Sequence, residues 1–519
     1  MIRLLFVLAC LTGGWAASMA VYTPHAHGCA FSTAPTTYDP PANRGAQMLG
    51  MNLAGYNMIT PDDAFFGTSR VETGLRGQRT VAANPYIPPT LLKAIGWIES
   101  GIAQADYNTP FGGVGPALIS FDCGHGIMQI TSGMTSPADG GWPSTQQALV
   151  ATHYLYNVAR GAAILVDKWN AAPEVRPVAG TDTGSDPRIA ENWYFATWGY
   201  NGFTGPGANR SNHPSDPDYA WPRTGYSCGL ATDGYGHSYA NYPYQELVFG
   251  CAARPPLVDD ERIWTAFRLS LPDLDEPEWA DPLSLSNWSS CSSNLNCGAM
   301  DIPSPDPQHV DPVSRPSDDT RNLLLGAPVL AMSHGLVRDA STVVTVYNVG
   351  EGILPWRAKP GQSWISVNKQ GGVALSDNVT CSSGAPCVRS PTLRITVDMS
   401  RLPPGQPSGW VNVVSLATGQ LWQIGVEPNT ASTPGAPTPT RTPTRTPTPL
   451  PPASTAGDVN CSTSLDSVDA ALILQFSAGL IGSLGCPANG DVNGDGNVNA
   501  LDAVFVLQLI GGLISAFPA

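Results

Sequence analysis

Charge is scarce in this chain. Only 13% of its 519 residues are charged, and the basic ones are the rarer, 26 Lys and Arg against 41 Asp and Glu, for a formal net charge of −15. An acidic, sparsely charged surface argues against a general nucleic-acid binder. Long apolar runs are also missing. Past residue 20 no segment is apolar for long enough to span a bilayer. The cysteines lack the twin close-spaced pairs of a zinc site. Punctuation is abundant instead: 54 Gly and 49 Pro imply many turns and linkers. The length implies more than one domain.

Residues 1–20 read as a secretory signal. Arg3 supplies the positive start, Leu4 to Ala9 begin an apolar run, and Ser18-Met19-Ala20 offer small residues for cleavage. Val7-Leu8-Ala9-Cys10 resembles a lipobox, but the run before Cys10 is short, which favours cleavage after Ala20. The mature chain is therefore expected outside a bacterial cytoplasm. Without Cys10 ten cysteines remain. They group by region as Cys29, Cys123, Cys228 and Cys251, then Cys291 with Cys297, Cys381 with Cys387, and Cys461 with Cys486. Local disulfides suit an oxidising compartment. Among the first four, three pairings stay open. His25 and His27 stand near Cys29 in a polar, turn-rich stretch that reads as a ragged mature N-terminus.

Pro88 and Pro89 suit a first helical turn. Leu91, Ile95, Ile98 and Ile102 follow at steps of four, three and four, which is one helix face. Glu99 lies four residues after Ile95, at the edge of that face. A carboxylate there is partly desolvated, which raises its pKa towards the range of a general acid at neutral pH. Ser144-Thr145-Gln146-Gln147 reads as a capping box opening a long helix to about Trp169. Another helix is expected from Asp186 to Tyr200, with Ile189, Trp193, Ala196 and Tyr200 on one face. From Gly202 to Tyr244 the chain is rich in Gly, Pro, Tyr and Trp, including Trp221, Tyr226, Tyr235, Tyr239, Tyr242 and Tyr244, and is expected to form surface loops.

Glu99-Ser100, then Gly126-Ile127-Met128-Gln129-Ile130, then Gly199-Tyr200-Asn201-Gly202 resemble, in order, the three motifs of the soluble lytic transglycosylases. That family has a mainly α, lysozyme-like fold and cleaves the β-1,4 bond between N-acetylmuramic acid and N-acetylglucosamine in peptidoglycan. The resemblance spans about residues 85–250. It implies Glu99 as the single catalytic acid. It implies a substrate-binding set: Ser100 bonding near the acid or substrate, Met128 and Gln129 on the groove floor, Tyr200 positioning Glu99 or the sugar through its hydroxyl, and Asn201 holding its turn. Two departures stand out: Asp122-Cys123-Gly124-His125 replace the usual approach to the second motif, and Gly199 and Gly202 stand where the family usually has Ala. A goose-lysozyme or chitosanase type of hydrolase is the nearest alternative. It would need a second carboxylate, and Asp122, with Asp106 behind it, is the candidate by position. A non-catalytic wall-binding scaffold protein is the third reading.

Residues 271–320 are rich in Pro, Asp and Ser and read as an extended connector. Over 321–428 the character changes to short β-type runs: Thr342–Asn348, Leu393–Asp398 and Trp410–Val414. These predict a β-sandwich. The stretches Asn348-Val349-Gly350, Leu354-Pro355-Trp356, Ser363-Trp364-Ile365-Ser366-Val367, Leu402-Pro403-Pro404-Gly405 and Gly409-Trp410 resemble BACON-type immunoglobulin-like modules, read here as a spacer. Residues 429–456 contain a Pro/Thr repeat that cannot bury a core and forms a stiff linker.

Asp491 to Asp502 is a twelve-residue calcium loop. Asp491, Asn493, Asp495, Asn499 and Asp502 fall at positions one, three, five, nine and twelve, Gly496 makes the turn, and Asn497 offers its carbonyl. The helix that follows carries Ala503, Leu507 and Ile510 on one side. A second loop from Asp458 to Asp469 retains Asp458, Asn460, Asp466 and Asp469. There Ser462 replaces the acidic ligand at five and Thr463 the turn glycine. The two loop–helix repeats resemble a dockerin domain, which implies structural Ca2+ and a cohesin-bearing scaffold as partner, with no cofactor for catalysis. The expected organisation is a signal peptide (1–20), a lysozyme-like domain (21–270), a connector (271–320), an Ig-like all-β sandwich (321–428), a linker (429–456) and a small α calcium module (457–519).

Overall fold

A computed structural model describes residues 29–73, 80–170, 186–202, 225–229, 239–275, 305–405, 407–429, 456–462, 464–477 and 481–510, with Asn212, Pro214, Tyr219, Ile514, Ala516 and Phe517 besides. The expected signal peptide, His25, His27, Cys291, Cys297, Trp221, Tyr235 and the Pro/Thr repeat lie outside the described residues. The chain divides into two units, residues 1–433 and 434–519. It is a multidomain protein with both helices and sheets. No helix among the described residues is long and apolar enough to cross a membrane.

The first part of the larger unit is helical: α1 (Gly45–Gly55), α2 (Pro89–Ser100), α3 (Thr145–Thr152), α4 (Tyr154–Asn170), α5 (Tyr194–Asn201) and α6 (Tyr244–Ala253). A two-stranded antiparallel sheet pairs β1 (Thr36–Asp39) with β2 (Gly113–Pro116). The core is rich in aromatics, with Trp169, Trp193, Trp198, Tyr194, Phe195 and Phe249 almost fully enclosed. Two disulfides settle the open pairing in this part, Cys29–Cys123 and Cys228–Cys251.

Several expected helices end or break where other groups claim their backbone. Leu91 and Ile95 are buried as expected and Ile98 is half-buried. Gly101 ends α2 in the left-handed region, so Ile102 lies beyond the helix, its N–H bonded to Gly96 O at 3.0 Å. The capping box at Ser144 forms in full. The expected single helix to Trp169 is instead two. His153 is extended between α3 and α4. The carbonyls that would have continued the ladder are taken by side chains: Gln104 Nε2 donates to Val150 and Ala151, and Thr37 Oγ1 donates to Thr152 at 2.7 Å. The helix expected from Asp186 opens as a 3₁₀ turn at Ala190–Trp193 before α5.

After α7 (Asp318–Leu325) come β3 (Leu330–Met332), β4 (Leu336–Val337), β5 (Ser341–Asn348), β6 (Ile353–Pro360), β7 (Ile365–Val367), β8 (Gly371–Leu375), β9 (Thr392–Val397), β10 (Gly409–Ser415) and β11 (Leu421–Val426). They form a five-stranded sheet in the order β8-β6-β10-β11-β4 and a four-stranded sheet in the order β7-β9-β5-β3. Alternation fixes the faces. In β9 Leu393, Ile395 and Val397 point inward while Thr392, Arg394 and Thr396 are exposed. Residues from both sheets, among them Val344, Ile395, Trp356, Val413 and Ile424, enclose one core.

This two-sheet region is packed on the helical region. Ile353, Val373, Leu375 and Leu416 belong to the same apolar core as α1 to α6. Arg357 and Lys359 on β6 both bond Asp139, at 3.1 and 2.9 Å. Val114 N donates to Pro386 O at 2.6 Å and Ser382 N to Gly112 O at 3.0 Å. The Cys381–Cys387 disulfide closes the loop that makes these last contacts.

Candidate functional site

Glu99 stands in the last turn of α2. Two glycines bring the second motif against that helix. A Cβ on Gly96 would stand 2.6 Å from Met51 Cε and 3.1 Å from Ile127 Cγ2, and a Cβ on Gly161 of α4 would stand 2.6 Å from Met128 Cγ. Only glycine allows so close a fit. The Met128 side chain is thereby sunk between α2 and α4 and is fully buried. Its expected place on the groove floor is corrected: its side chain is core, and its backbone carries the polar contacts.

The turn over Gly126–Gln129 needs left-handed backbone, with φ of 65° at Gly126 and 44° at Gln129. Buried amides pay for nothing here by charge; they hold it by hydrogen bonds. Asn157 Oδ1 accepts from Met128 N at 2.8 Å, Asn157 Nδ2 donates to His125 O at 2.7 Å, and Gln104 Oε1 accepts from Ile127 N at 3.3 Å. Gln129 donates back to Gly126 O at 2.8 Å and is half-buried. Ser100, expected to bond near the acid or the substrate, bonds backbone groups beside the acid. Its buried hydroxyl lies 2.8 Å from Ile127 O and 3.1 Å from Gly96 O, and accepts from Ala103 N at 3.1 Å. It ties the end of α2 to the motif loop.

Two phenols bear on the Glu99 carboxyl group. Tyr244 Oη donates to Glu99 Oε1 at 2.5 Å. Tyr200 Oη donates to Met128 O at 2.8 Å, and the Glu99 charge is felt at both phenols. Burial pushes Glu99 up to about 7, against the opposing Tyr244 hydrogen bond and with a smaller push from the charge of Asp122. Burial, then the Glu99 charge, holds both phenols well above 10, so they stay protonated donors. The result is a carboxyl group whose pKa is raised towards neutrality, with Oε1 held by the Tyr244 phenol.

Tyr244 was expected in a surface loop; it opens α6, after Pro243 at the N-cap position. The signal was present: Tyr244, Leu247, Val248 and Cys251 repeat as a helix face and all are buried. Asn201 reaches Tyr244 indirectly. Its Oδ1 accepts from Asn212 Nδ2 at 3.0 Å, and Asn212 Oδ1 accepts from Tyr244 N at 3.1 Å. Asn201 thus helps set the start of α6. Asp122 is exposed and accepts from Ser120 Oγ at 2.5 Å. Asp106 caps its own turn, accepting from Asn108 N, Thr109 N and Thr109 Oγ1.

The C-terminal unit packs α8 (Ser467–Ser477) against α9 (Ala500–Ile510) around Val459, Ile473, Val492, Ala503 and Val506. Of the expected apolar stripe Ala503 is buried, but Leu507 and Ile510 are 45% and 43% exposed. The two loops repeat one geometry. Asp502 is buried, with Oδ1 accepting from Val492 N and Asn493 N and Oδ2 from Asn499 N. Asp469 does the same with Val459 N, Asn460 N and Asp466 N. Asp491 accepts from Asp495 N and Gly496 N, and Asp495 from Asn497 N. Gly496 takes the turn at φ 86°. In the first loop Asp458 and Asn460 both accept from Ser462 N, and Cys461–Cys486 braces it. Among the described residues no three His, Cys, Asp or Glu side chains converge as a ready metal cluster. The donor set of Asp491, Asn493, Asp495 and Asp502 is nevertheless all oxygen, with Asn497 and Asn499 alongside. That fits a hard cation such as Ca2+.

No curated protein matches the chain. A solved Bacteroides ovatus GH5 xyloglucanase bound to a XXXG heptasaccharide is similar over 21% of this chain and 20% of its own, at 15% identity and a TM-score of 0.15. The YadV chaperone is similar over 21% of this chain and 55% of its own, at 16% identity and a TM-score of 0.16. The chain thus spans less than two thirds of either structure, and scores this low bear on neither fold nor chemistry. The family match is confined to the C-terminal unit: residues 456–511 match the dockerin type I domain, so this part of the chain is a dockerin module, which implies a cohesin partner.

Proposed function

We propose that the chain is a secreted lytic transglycosylase, displayed on a cohesin-bearing scaffold or surface through its dockerin module. The observation that carries the reading is the Glu99–Tyr244 pair: a carboxyl group that burial pushes up to about 7, with one oxygen fixed at 2.5 Å by a phenol. The three-motif resemblance supplies the substrate class, the β-1,4 bond between N-acetylmuramic acid and N-acetylglucosamine.

Glu99 donates its proton to the glycosidic oxygen as the C1–O bond breaks. The resulting carboxylate, held by Tyr244, then removes the proton from the muramyl 6-hydroxyl as that oxygen closes on C1. The products are a new 4-hydroxyl and a 1,6-anhydro sugar, and Glu99 regains its proton. Tyr200 holds the motif loop in register with the acid through Met128 O. In the dockerin module, Asp491, Asn493, Asp495 and Asp502 with the Asn497 carbonyl would hold Ca2+ in the second loop, and Asp458, Asn460, Asp466 and Asp469 in the first. The ion there is structural.

The packing of the two-sheet region on the helical region favours an Ig-like part of the catalytic unit over a detached spacer. A hydrolase is the second reading, favoured by one observation: the Asp122 charge reaches Glu99, which makes Asp122 the candidate second carboxylate. Mass spectrometry of soluble products from purified peptidoglycan decides between them. Anhydro-muropeptides support the transglycosylase, and reducing ends support the hydrolase and Asp122.

A further inference from the structure

The segment expected to be a connector returns to the helical region and touches both helices of the acid site. Helix α2 begins with two prolines, so its first backbone donor is Thr90 N–H, and Thr90 is buried. Pro88 at the N-cap position has no side chain to receive it. A buried N–H without a partner is costly. The partner is Asp311, 221 residues further on. Its Oδ2 accepts from Thr90 N at 2.7 Å and its Oδ1 from Thr90 Oγ1 at 3.1 Å. Asp311 is itself buried, and its negative charge suits a helix N-terminus. It also faces Lys93, one turn on, which burial pushes down to about 8 against the pull of Asp311.

Two residues earlier the same segment holds the 3₁₀ turn that leads into α5. Ala190 N donates to His309 O at 2.9 Å, and Ile189 and Val310 form a bridge. Glu191 is fully buried. Its Oε2 accepts from His309 N at 2.7 Å and its Oε1 lies 2.7 Å from His309 Nδ1 and accepts from Ser270 N at 3.1 Å. At the far end, Val313 O accepts from Tyr56 Oη at 2.6 Å, just past α1.

We propose that residues 309–313 are a positioning strap, pinning the N-termini of the two helical segments that carry Glu99 and Tyr200, with Asp311 as its principal positioning residue. The catalytic part of this proposal rests on the Glu99 reading above. The strap fixes how α2 and α5 are set against each other, and so whether Glu99, Tyr244 and the Met128 carbonyl hold together. Neither helix has its own local cap at that end.

The test uses the full chain with Asp311→Ala, Asp311→Asn and His309→Ala. Backbone hydrogen exchange is read over 89–93 and 189–193, and kcat and KM are measured on peptidoglycan fragments at a temperature where each variant is folded. Asp311→Ala is expected to speed exchange at both segments and to lower kcat about 10- to 100-fold with little change in KM, as a misplaced acid does. Asp311→Asn keeps an oxygen for Thr90 N–H and is expected to recover most of both. His309→Ala, which loses the ring contacts to Glu191 and Phe267 but keeps the strap's backbone bonds, is expected to loosen 89–93 as well, and serves if Asp311→Ala does not fold. Faster exchange confined to the mutated end, or an unchanged kcat in a folded Asp311→Ala, overturns the strap. If the parent releases no product, the Glu99 reading fails by itself, and exchange at the distant segment still decides the strap.

Discussion

The two acidic sites in this chain treat the same functional group in opposite ways. Glu99 is half-buried, and desolvation pushes it up to about 7. Asp495, in the second dockerin loop, is exposed and held below the usual carboxylate range by hydrogen bonds from the Asn493 side chain first and the Asn497 backbone second. One environment keeps a proton available; the other keeps a charge available. The difference lies in the neighbours. Around Glu99 the Tyr244 hydrogen bond only partly offsets the desolvation of the carboxylate. Around Asp495 stand backbone N–H groups and amides, which solvate a carboxylate. Burial favours a proton donor, whereas a loop whose N–H groups hold its carboxylates charged presents oxygens to a cation.

The sharpest break in that contrast is Glu99→Gln. It preserves the packing and removes the proton, and product release from peptidoglycan is expected to fall about 10²- to 10⁴-fold. At the other site the equivalent break is removal of Ca2+ by a chelator, or Asp491→Ala. The helices at 456–511 are expected to lose their cooperative melting transition, while the transition of the larger unit stays in place. Differential scanning calorimetry with and without chelator reads both.

Tyr244→Phe tests the acid more finely. The Tyr244 bond lowers the Glu99 pKa, so its loss leaves burial unopposed and the pKa rises further. Activity that needs protonated Glu99 then persists to higher pH, with the basic limb displaced upward by about one unit, while kcat falls about tenfold from lost alignment. A basic limb that moves down would contradict this cause. Stability gives a smaller signal. The folded pKa of Glu99 lies above its ordinary value of 4.5, so the folded state binds the extra proton between there and about 7. Stability is therefore lost as pH rises through that window. Glu99→Gln is expected to melt higher than the parent at pH 8, by at most about 3 kcal/mol of stability, and to match it more closely near pH 4. Smallest is the difference between the calcium loops. With Ser462 in place of an acid, the first loop is expected to bind Ca2+ more weakly than the second in a titration of the dockerin module, since affinity follows ligand charge.

What could be read in advance was what is local. Ser144 and Gln147 stand three residues apart, and the capping box they announce forms as read. The short β-type runs at 342–348, 393–398 and 410–414 fall on the strands at 341–348, 392–397 and 409–415. The dockerin loops carry their ligands in a fixed register. Distant partners left no such mark. Asp311 caps α2 across 221 residues, and nothing near Thr90 announces it. The break at His153 depends on Gln104 and Thr37, which come from other parts of the chain. The desolvation of Glu99 could be read because its apolar face is local. Its partner Tyr244 could not, because a tyrosine-rich, glycine-rich approach masked a short helix. The packing of the two-sheet region against Asp139 was equally hidden, since Arg357 and Lys359 look like ordinary solvent-facing charges on a strand.

The central claim is that Glu99 is the acid of a transglycosylase. Its most direct test is mass spectrometry of the soluble products when the full chain and its Glu99→Gln variant are each incubated with purified peptidoglycan. Anhydro-muropeptides from the parent and none from the variant are the predicted result. Equal products from both, or reducing ends in place of anhydro ends, would contradict it.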